Sequence, residues 1–286
     1  MMKKTSFLLI LPTAIFGAIL LYIVFYNVAI SFTNWSLLHP IPSFSGISSY
    51  ANVIHSFYFP TSLIHSLELS GSAVIFGNIL GIGIAGLLYF LSSNKARTFF
   101  LSIIILPLAI SMAVNALIWL WLYNYNLGVN WLFLRLGLPY VPWLTATSMM
   151  MPSIIIIAIW AYTGLPALFY LASFLGIDKS IIEAARLDGA SSFKILRKIL
   201  IPNSANGFIV STALLFLFTF RIFSIPYILS GGPTNIFMQT LVVFSYYLFT
   251  TEFFAQASAL STIIILIATA IVIPYALYGI KRWIKK

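Results

Sequence analysis

The sequence contains six long apolar runs, and these runs limit the folds that the chain can adopt. An α-helix needs about 20 residues to cross the hydrocarbon core of a bilayer, and lipid leaves the backbone only helices and closed barrels. The runs are continuously apolar rather than alternating, which predicts helices. Only 7% of the residues are charged, against about 25% in a soluble domain. We therefore predict an all-α integral membrane protein, a single transmembrane domain over residues 1–286. Its six spans are expected at residues 7–30, 63–91, 99–123, 148–172, 203–229 and 254–280.

The first run also has to be compared with a secretory signal peptide, because Lys3 and Lys4 precede it. A signal peptide has an apolar core of about 7–15 residues, followed by small residues at a cleavage site. The run over residues 7–30 is longer than that, and no such site follows it. The sequence therefore predicts a retained transmembrane helix.

The basic residues are distributed unevenly between the loops. Thirteen of the fifteen Lys and Arg lie at the two termini and in the loops after the second and fourth spans. They are Lys3, Lys4, Lys95, Arg97, Lys179, Arg186, Lys194, Arg197, Lys198, Lys281, Arg282, Lys285 and Lys286. Because cytoplasmic loops carry an excess of Lys and Arg, both termini and these two loops are predicted to be cytoplasmic. The net charge of +10 then reflects membrane topology rather than binding of nucleic acid.

The loop over residues 173–202 interrupts the apolar sequence with eight charged side chains. As a seventh span it would cost on the order of 20–28 kcal/mol to insert, at about 2.5–3.5 kcal/mol for each central charge. Its sequence instead predicts a short helix from Ile181 to Asp188. Ser180 and Glu183 fit a capping box at the start of this helix, and Gly189 fits a left-handed stop after its end.

A second helix is predicted after this stop. Ser191 fits its N-cap, and Phe193, Leu196 and Leu200 are predicted to share one of its faces. Two functions suit such a charged segment beside a membrane. It can dock in a groove of a partner protein, or it can lie as an amphipathic helix on the lipid head groups. The spacing of its residues alone favours the amphipathic helix on the head groups, because such helices are common.

The motifs in and around this loop resemble those of ABC-importer permeases. The residues that match the EAA loop of that family are Glu183, Ala184, Ala185, Asp188, Gly189, Ala190, Ile199 and Pro202. Ile201 departs from the pattern by replacing the usual leucine. Other stretches are similar to the carbohydrate branch, the MalF/UgpA-like permeases. They are LPTAIF and SFTNW near the start, LPYVPWL at 138–144, YILSGGP at 227–233 and QASALS at 256–261.

This resemblance implies a type I, MetI-like permease fold with a cytoplasmic coupling helix. In that family the EAA loop docks onto an ATP-binding subunit, so residues 183–185 and 188–190 are implied to couple the ATPase to alternating access. The implied assembly contains a second permease subunit, two ATP-binding subunits and an extracytoplasmic sugar-binding protein, in the plasma or inner membrane. The chain is then the transmembrane subunit of an ATP-driven, binding-protein-dependent sugar importer.

The sequence predicts no chemistry on this chain itself. It has no phosphate loop of the form GxxxxGK followed by Ser or Thr, so ATP and Mg²⁺ are expected on the partner ATPase. The absence of cysteine excludes disulfides and thiolate metal sites, and the three histidines do not have metal-ligand spacing. We therefore expect no catalytic residue, no metal and no cofactor on this chain.

Polar and aromatic residues within the spans are candidates for the substrate path. Arg221 lies inside the fifth predicted span, and an intramembrane charge usually faces a cavity, a partner helix or a pathway. The alternatives for Arg221 are snorkelling to the interface and an ion pair with Glu68 or Glu252. Sugars bind to aromatic faces and to hydrogen-bonding side chains, so the further candidates are Phe218, Tyr162, Trp160, Asn115 and Trp119. Because 16% of the chain is aromatic, ordinary packing is the alternative for each ring.

An autonomous secondary transporter or channel for a small polar solute is the alternative function. Six spans fit many such proteins, but these usually carry acidic residues inside the membrane for ion coupling. Glu68, close to the edge of its span, is the acidic candidate here. The kind of sugar stays open among monosaccharides, oligosaccharides, polyols and glycerol phosphates.

Overall fold

Helices make up the computed structural model, which describes residues 4–284. Within that range there is no β-strand, only the isolated bridges Thr33–Phe44 and Ser36–His39. The helices are α1 (Lys4–Ser31), α2 (Ser48–Ile54), α3 (Phe59–Tyr89), α4 (Asn94–Ala109), α5 (Met112–Leu122), α6 (Gly128–Arg135), α7 (Thr147–Tyr162), α8 (Gly164–Leu175), α9 (Lys179–Leu187), α10 (Ser192–Ile195), α11 (Ile201–Asn203), α12 (Ala205–Phe220), α13 (Ser224–Leu229), α14 (Leu241–Thr250) and α15 (Phe254–Ile284). A π-helical turn, Leu196–Leu200, lies between α10 and α11. The prediction of an all-α protein is confirmed.

Five of the six predicted spans correspond to helical segments that are long and apolar enough to cross a bilayer. They are Leu11–Ser31, Phe59–Tyr89, Thr147–Leu175, Ala205–Leu229 and Phe254–Leu277. The apolar helix α14 has no counterpart in the prediction. It has 10 residues, about half of what a span needs, so a search for spans does not find it.

The third predicted span, residues 99–123, is interrupted in the structure. Helices α4 and α5 meet at an angle of 95° around Ile110 and Ser111. The Ser111 hydroxyl caps α5 by accepting the Val114 N–H at 3.3 Å, so a new helix begins at this point. Because the bent pair is either one broken span or a re-entrant loop, the described chain has five or six candidate spans.

The described residues divide into two compact units. One contains the residues up to Pro60 together with Leu241–Ile267, and the other contains Thr61–Thr240 together with the residues from Ala268 onward. The single transmembrane domain over residues 1–286 stays a prediction. Some of the basic residues that predict the topology lie outside the described part of the chain. They are Lys3, Lys285 and Lys286, together with the side chains of Lys4, Lys281 and Arg282.

In the first unit, polar contacts join α1 to α15. Nδ2 of Asn27 donates to the carbonyl of Ser258 at 3.3 Å and to Oγ1 of Thr262 at 3.2 Å. An amide in apolar surroundings is costly unless it is hydrogen-bonded, so these bonds favour the pairing of the two helices. The large apolar side chains of α1 between Leu11 and Tyr26 are exposed, as expected for a helix that faces lipid.

In the second unit, Asn78 is the centre of a buried polar network. Its Nδ2 donates to the Val74 carbonyl at 2.7 Å and to Thr212 Oγ1 at 3.1 Å. Its Oδ1 accepts from Tyr170 Oη at 2.9 Å and from Ser211 Oγ at 2.8 Å. All four hydrogen-bonding positions of the amide are therefore used, and the network joins α3, α8 and α12.

Glycines of α3 let neighbouring segments approach it closely. A side chain at Gly81 would place its Cβ 2.6 Å from Pro166 of α8, and one at Gly86 would place its Cβ 2.9 Å from Leu196. A Cβ does not fit at Gly81, where the ring of Pro166 and the backbone of Ala167 are close, whereas at Gly86 it would require the Leu196 side chain to shift. Small residues at such positions are common between membrane helices, so these glycines serve close packing.

Candidate coupling helix and substrate path

Helix α9 is the predicted helix of the charged loop, but it begins differently from the prediction. Asp178 is its N-cap, since Oδ1 accepts the N–H of Ser180 at 2.9 Å. Ser180 is already inside the helix, and Glu183 lies beyond the position from which a capping box closes. The predicted capping box is therefore wrong. Asp178 takes the role because it is an equally good cap, and its charge also suits the positive end of the helix dipole.

We expect Asp178→Ala to loosen the first turn of α9 and Ser180→Ala to leave it intact. The hydrogen bond from the Ser180 backbone N–H holds the pKa of Asp178 below its ordinary value. The cap is therefore fully present above about pH 4, the ordinary pKa of aspartate, and is lost as the pH falls through the lowered pKa. Amide hydrogen exchange over residues 179–182 measures the effect. Faster exchange in Ser180→Ala than in Asp178→Ala would contradict this assignment of the cap.

The C-terminal end of α9 confirms the predicted left-handed stop. Gly189 has a φ of +74°, a conformation that strains residues with a side chain. Its N–H donates to the Arg186 carbonyl at 3.0 Å, and the Ala190 N–H donates to the Ala185 carbonyl at 2.9 Å. This pair of bonds is a Schellman motif, which satisfies carbonyls of the last turn. The motif fixes where α9 ends and directs the chain towards α10.

The two alanines of the EAA motif lie on different faces of α9. Ile182 is buried in a cluster with Tyr170 and Phe174 of α8, and Ala185 packs against the same cluster. Ala184 is exposed, and at about 100° per residue it lies on the side of the helix opposite Ile182. Ala185 therefore helps to attach the helix to the bundle, and Ala184 leaves the outer face of the helix without a large side chain.

The outer side of this segment is apolar and open. Leu187 is 89% exposed and Phe193 is 71% exposed, and Ile181 is exposed as well. By its helical position Leu187 shares the outer face with Ala184. Large apolar side chains on a segment rich in charged residues indicate a surface for interaction.

The second helix begins as predicted, because the Ser191 hydroxyl caps it by accepting a backbone N–H of its first turn at 3.3 Å. The π-helical turn Leu196–Leu200 then widens the helix. This widening places Ile195 and Leu200, five residues apart, on the buried side. The predicted face that Phe193 shares with the two leucines of this turn is wrong, because it assumed a constant period of 3.6 residues.

A cleft of about 480 Å³ lies between α9 and the connection from α3 to α4. Lys179, Glu183 and Arg186 line it on α9, and Arg97 lines it from α4. Arg97 is engaged in capping the end of α3, since its Nε donates to the Leu88 carbonyl at 3.0 Å. The glutamate of the EAA motif therefore faces a cleft of mixed charge, while the apolar outer surface is formed by its neighbours.

The candidate residues for the substrate path form two aromatic pairs. Trp119 of α5 meets Trp160 of α7 edge to face, with ring centroids 5.5 Å apart. Tyr162 of α7 stacks on Phe218 of α12, with centroids 5.8 Å apart. Trp160 and Tyr162 are two residues apart on one helix and therefore project in different directions. The structure brings the aromatic candidates together pairwise rather than in one cluster.

Arg221 lies at the C-terminal end of α12, one turn after Phe218. Its side chain is exposed, and Nε donates to the Leu217 carbonyl at 3.2 Å. Among the described residues of this unit, no ion pair joins Arg221 to Glu68. The guanidinium therefore keeps donors free at the point where the helix ends.

Asn115 is buried at the break between α4 and α5. Its Nδ2 donates to the Pro107 carbonyl at 2.9 Å, a carbonyl that the break leaves without a helical partner. Within the part of the chain that the structure describes, Oδ1 of Asn115 has no hydrogen-bond partner, and neither do the buried indole N–H groups of Trp119 and Trp143. Buried polar atoms without a partner are rare, so this cluster of polar atoms is a candidate site for a bound water or a polar group of a ligand.

The sequence analysis did not single out Tyr123 or Trp143 as candidate residues. The Tyr123 ring lies 5.1 Å from that of Trp119 and stacks on that of Trp143 at 4.9 Å. The two residues therefore extend the pair of tryptophans into a continuous aromatic row. Asn115 and Trp119 of α5 and Tyr123, the residue directly after α5, are spaced by four residues. This spacing on one face of a helix is the signal that could have revealed the row.

Comparison with known proteins gives a family and close relatives. Residues 77–286 match the family described as binding-protein-dependent transport system inner membrane component. The chain is 63% identical to the glucose import system permease protein GlcT of Saccharolobus solfataricus over 100% of both chains. It is 29% identical to the trehalose/maltose transport system permease protein MalF of Thermococcus litoralis, over 94% of this chain and 92% of that protein.

A solved structure has the same fold. One chain of a bacterial alginate ABC transporter, in complex with an alginate pentasaccharide-bound periplasmic protein, matches with a TM-score of 0.81 and 23% identity. The match covers 95% of this chain and 92% of that one. The likeness is one of fold, and it confirms the predicted permease fold.

Proposed function

This chain belongs to the family of binding-protein-dependent transport system inner membrane components, and we propose that it is the transmembrane subunit of an ATP-driven sugar importer. It forms half of the substrate path and couples closure of the ATPase to alternating access through residues 183–190. The identity of 63% to a glucose import permease over the full length of both chains supports glucose as the transported sugar.

The outer surface of α9 is the observation that carries this proposal. Ile182 fixes one side of the helix to the bundle, and Ala184 and Leu187 lie open on the opposite side. A helix resting on lipid would turn its apolar face towards the membrane, which is the side of the bundle. An apolar face turned away from the bundle suits docking in a groove of a protein. In this proposal the groove belongs to the ATP-binding subunit.

The assembly that we infer has four further components. A second permease subunit completes the substrate path, two ATP-binding subunits hold ATP and Mg²⁺, and an extracytoplasmic sugar-binding protein delivers the substrate. The distribution of basic residues supports an orientation with α9 and both termini in the cytoplasm. The chain resides in the plasma or inner membrane and supplies no catalytic residue of its own.

For the substrate path we propose one set of surface contacts and one set of supporting residues. Trp160 and Phe218 keep part of their ring faces exposed and are proposed to stack on the sugar ring. Trp119 and Tyr162 hold these rings in place from behind. Asn115 Oδ1 and the free donors of Arg221 are proposed to bond to sugar hydroxyls. Aromatic walls with a few polar atoms are the usual composition of a small-molecule site.

Gentle solubilisation of the tagged chain from its native membrane tests this function. We expect a P-loop ATPase and a second permease to co-purify in comparable amounts, and we expect the reconstituted assembly to take up radiolabelled glucose only with ATP. Competition by unlabelled glucose, maltose and glycerol phosphate then tests the choice of sugar. A chain that emerges alone and conducts sugar in vesicles without ATP would indicate an autonomous transporter or channel instead.

A further inference from the structure

The segment after α1 has no charged side chain, although it lies outside the span. No Asp, Glu, Lys or Arg occurs between Thr5 and Leu67. Within this stretch, residues 33–47 form what we call the apolar hairpin. Loops that face water are normally polar, so this composition indicates other surroundings.

Hydrogen bonds give the apolar hairpin a defined shape. The Asn34 N–H donates to the Ser43 carbonyl at 3.1 Å, and Asn34 Oδ1 accepts the Ser43 N–H at 2.9 Å. The Ser45 N–H donates to the Phe32 carbonyl at 2.8 Å and closes the base of the hairpin. The exposure of its side chains is therefore a property of a folded element.

The apolar hairpin is attached where two spans end. Helix α1 ends at Ser31, and the hairpin follows within two residues. The Leu37 N–H donates to the Glu252 carbonyl, just before α15, and the Ala255 N–H in the first turn of α15 donates to the Trp35 carbonyl, both at 3.0 Å. Since the ends of spans mark the boundary of the hydrocarbon core, the hairpin lies at the level of the membrane interface.

Large apolar side chains of the hairpin are exposed. The exposed fractions are 68% for Leu37, 79% for Leu38, 83% for Ile41, 82% for Phe44 and 72% for Ile47. Pro40 and Pro42 lie among them and have no N–H group. The tip of the hairpin therefore has fewer backbone donors that lipid would leave unsatisfied.

We propose that the apolar hairpin inserts into the interfacial layer of the leaflet in which α1 ends. The position at the ends of two spans makes it continuous with the lipid-facing surface of α1. The absence of Asp, Glu, Lys and Arg suits this layer, because a charged side chain at membrane depth is costly. Trp35 supports the same reading, since tryptophan is enriched at membrane interfaces and its ring packs 4.8 Å from that of Phe254. The hairpin would thereby anchor this end of α1 and α15.

Single-cysteine labelling tests the proposal cleanly, because the chain has no cysteine of its own. Ile41→Cys and Leu38→Cys are labelled separately with an environment-sensitive fluorophore in the intact complex in phosphatidylcholine nanodiscs. Asn52→Cys, an exposed polar position on α2, is the matched control. Lipids with a nitroxide near the head group should quench both hairpin labels several-fold more strongly than the label at Asn52. Two hairpin positions are used so that poor assembly of one variant leaves the other readable.

Three results would overturn the proposal. In the first, the emission of the label stays typical of water, lipid nitroxides do not quench it, and it changes only when a sugar-binding protein is added. This result would show that the hairpin docks a soluble partner. A blue-shifted label that lipid nitroxides never quench would show that another protein chain covers it. Adding Phe44→Glu to the Ile41→Cys variant should decrease the lipid quenching, and unchanged quenching in that double variant would also contradict insertion of the apolar side chains.

Discussion

Gly189→Trp is expected to abolish ATP-driven sugar uptake, although the variant chain still inserts into the membrane and folds normally. Gly189 has a φ of +74°, and a Cβ added there would meet nothing within 4 Å. The substitution therefore creates no clash inside the chain, and its effect comes from the backbone and from the outer surface. A left-handed conformation costs a residue with a side chain about 1–2 kcal/mol, which is a factor of about 5–30 in the population of the docked loop. The indole adds bulk beside Ala184 and Leu187.

Gly137→Trp is the matched control for this prediction. Gly137 has a φ of +72°, and a Cβ there also meets nothing within 4 Å, but it lies in the loop between α6 and α7. Both variants should have the same backbone strain, and only Gly189→Trp should lose uptake and retention of the ATPase during purification. Gly189→Asn should keep more activity, because asparagine tolerates this conformation. Normal uptake by Gly189→Trp, or equal loss in both variants, would remove the coupling role from this loop.

The locations of the spans could be predicted because they depend on composition alone. The second span was expected at residues 63–91 and is found at Phe59–Tyr89. The break in the third span could not be predicted in the same way. A single serine hardly changes the mean hydropathy of residues 99–123, so the average gives no sign of the break. Ser111 competes for the backbone as a cap, and it is at this residue that a new helix begins.

The structure of the loop over residues 173–202 could be predicted only in part from the sequence. Gly189 was identifiable because few residues adopt its conformation. The cap was misassigned to Ser180 because aspartate and serine cap equally well, so residue type does not distinguish Ser180 from Asp178. The π-helical turn over residues 196–200 changes the helical period, so a fixed period misplaces Phe193. The aromatic pairs of the substrate path were beyond reach, because 16% of the chain is aromatic and only the tertiary structure selects which rings meet.

Asn78→Leu is expected to destabilise the second unit by about 2 kcal/mol, from three interhelical hydrogen bonds at a membrane-protein average of about 0.6 kcal/mol each. The leucine removes every partner atom that Asn78 offers to Tyr170, Ser211 and Thr212. Tyr170 is also packed in the same buried cluster as Ile182 of α9. Loss of the network should therefore weaken the attachment of α9 to the bundle. If α9 is the coupling helix, as proposed, the sugar transported per ATP hydrolysed should decrease in addition to stability.

The measurement combines unfolding of the reconstituted chain in mixed micelles with the ratio of uptake to ATP hydrolysis. Ser70→Ala is the control on the same helix. Ser70 is buried, but among the described residues its hydroxyl donates only to carbonyls of its own turn, those of Ser66 at 2.8 Å and Leu67 at 3.3 Å. It should change neither the stability nor the transport ratio.

A double variant tests the network directly. When Tyr170→Phe is already present, Asn78→Leu should lower the free energy of unfolding by less than it does alone, because the two residues share one hydrogen bond. Full additivity of the two substitutions would contradict the network.

A destabilised Asn78→Leu variant with an unchanged transport ratio would limit Asn78 to holding α3, α8 and α12 together. A residue that only supports the fold changes the amount of assembly that survives, but it does not change how much sugar each assembly transports per ATP.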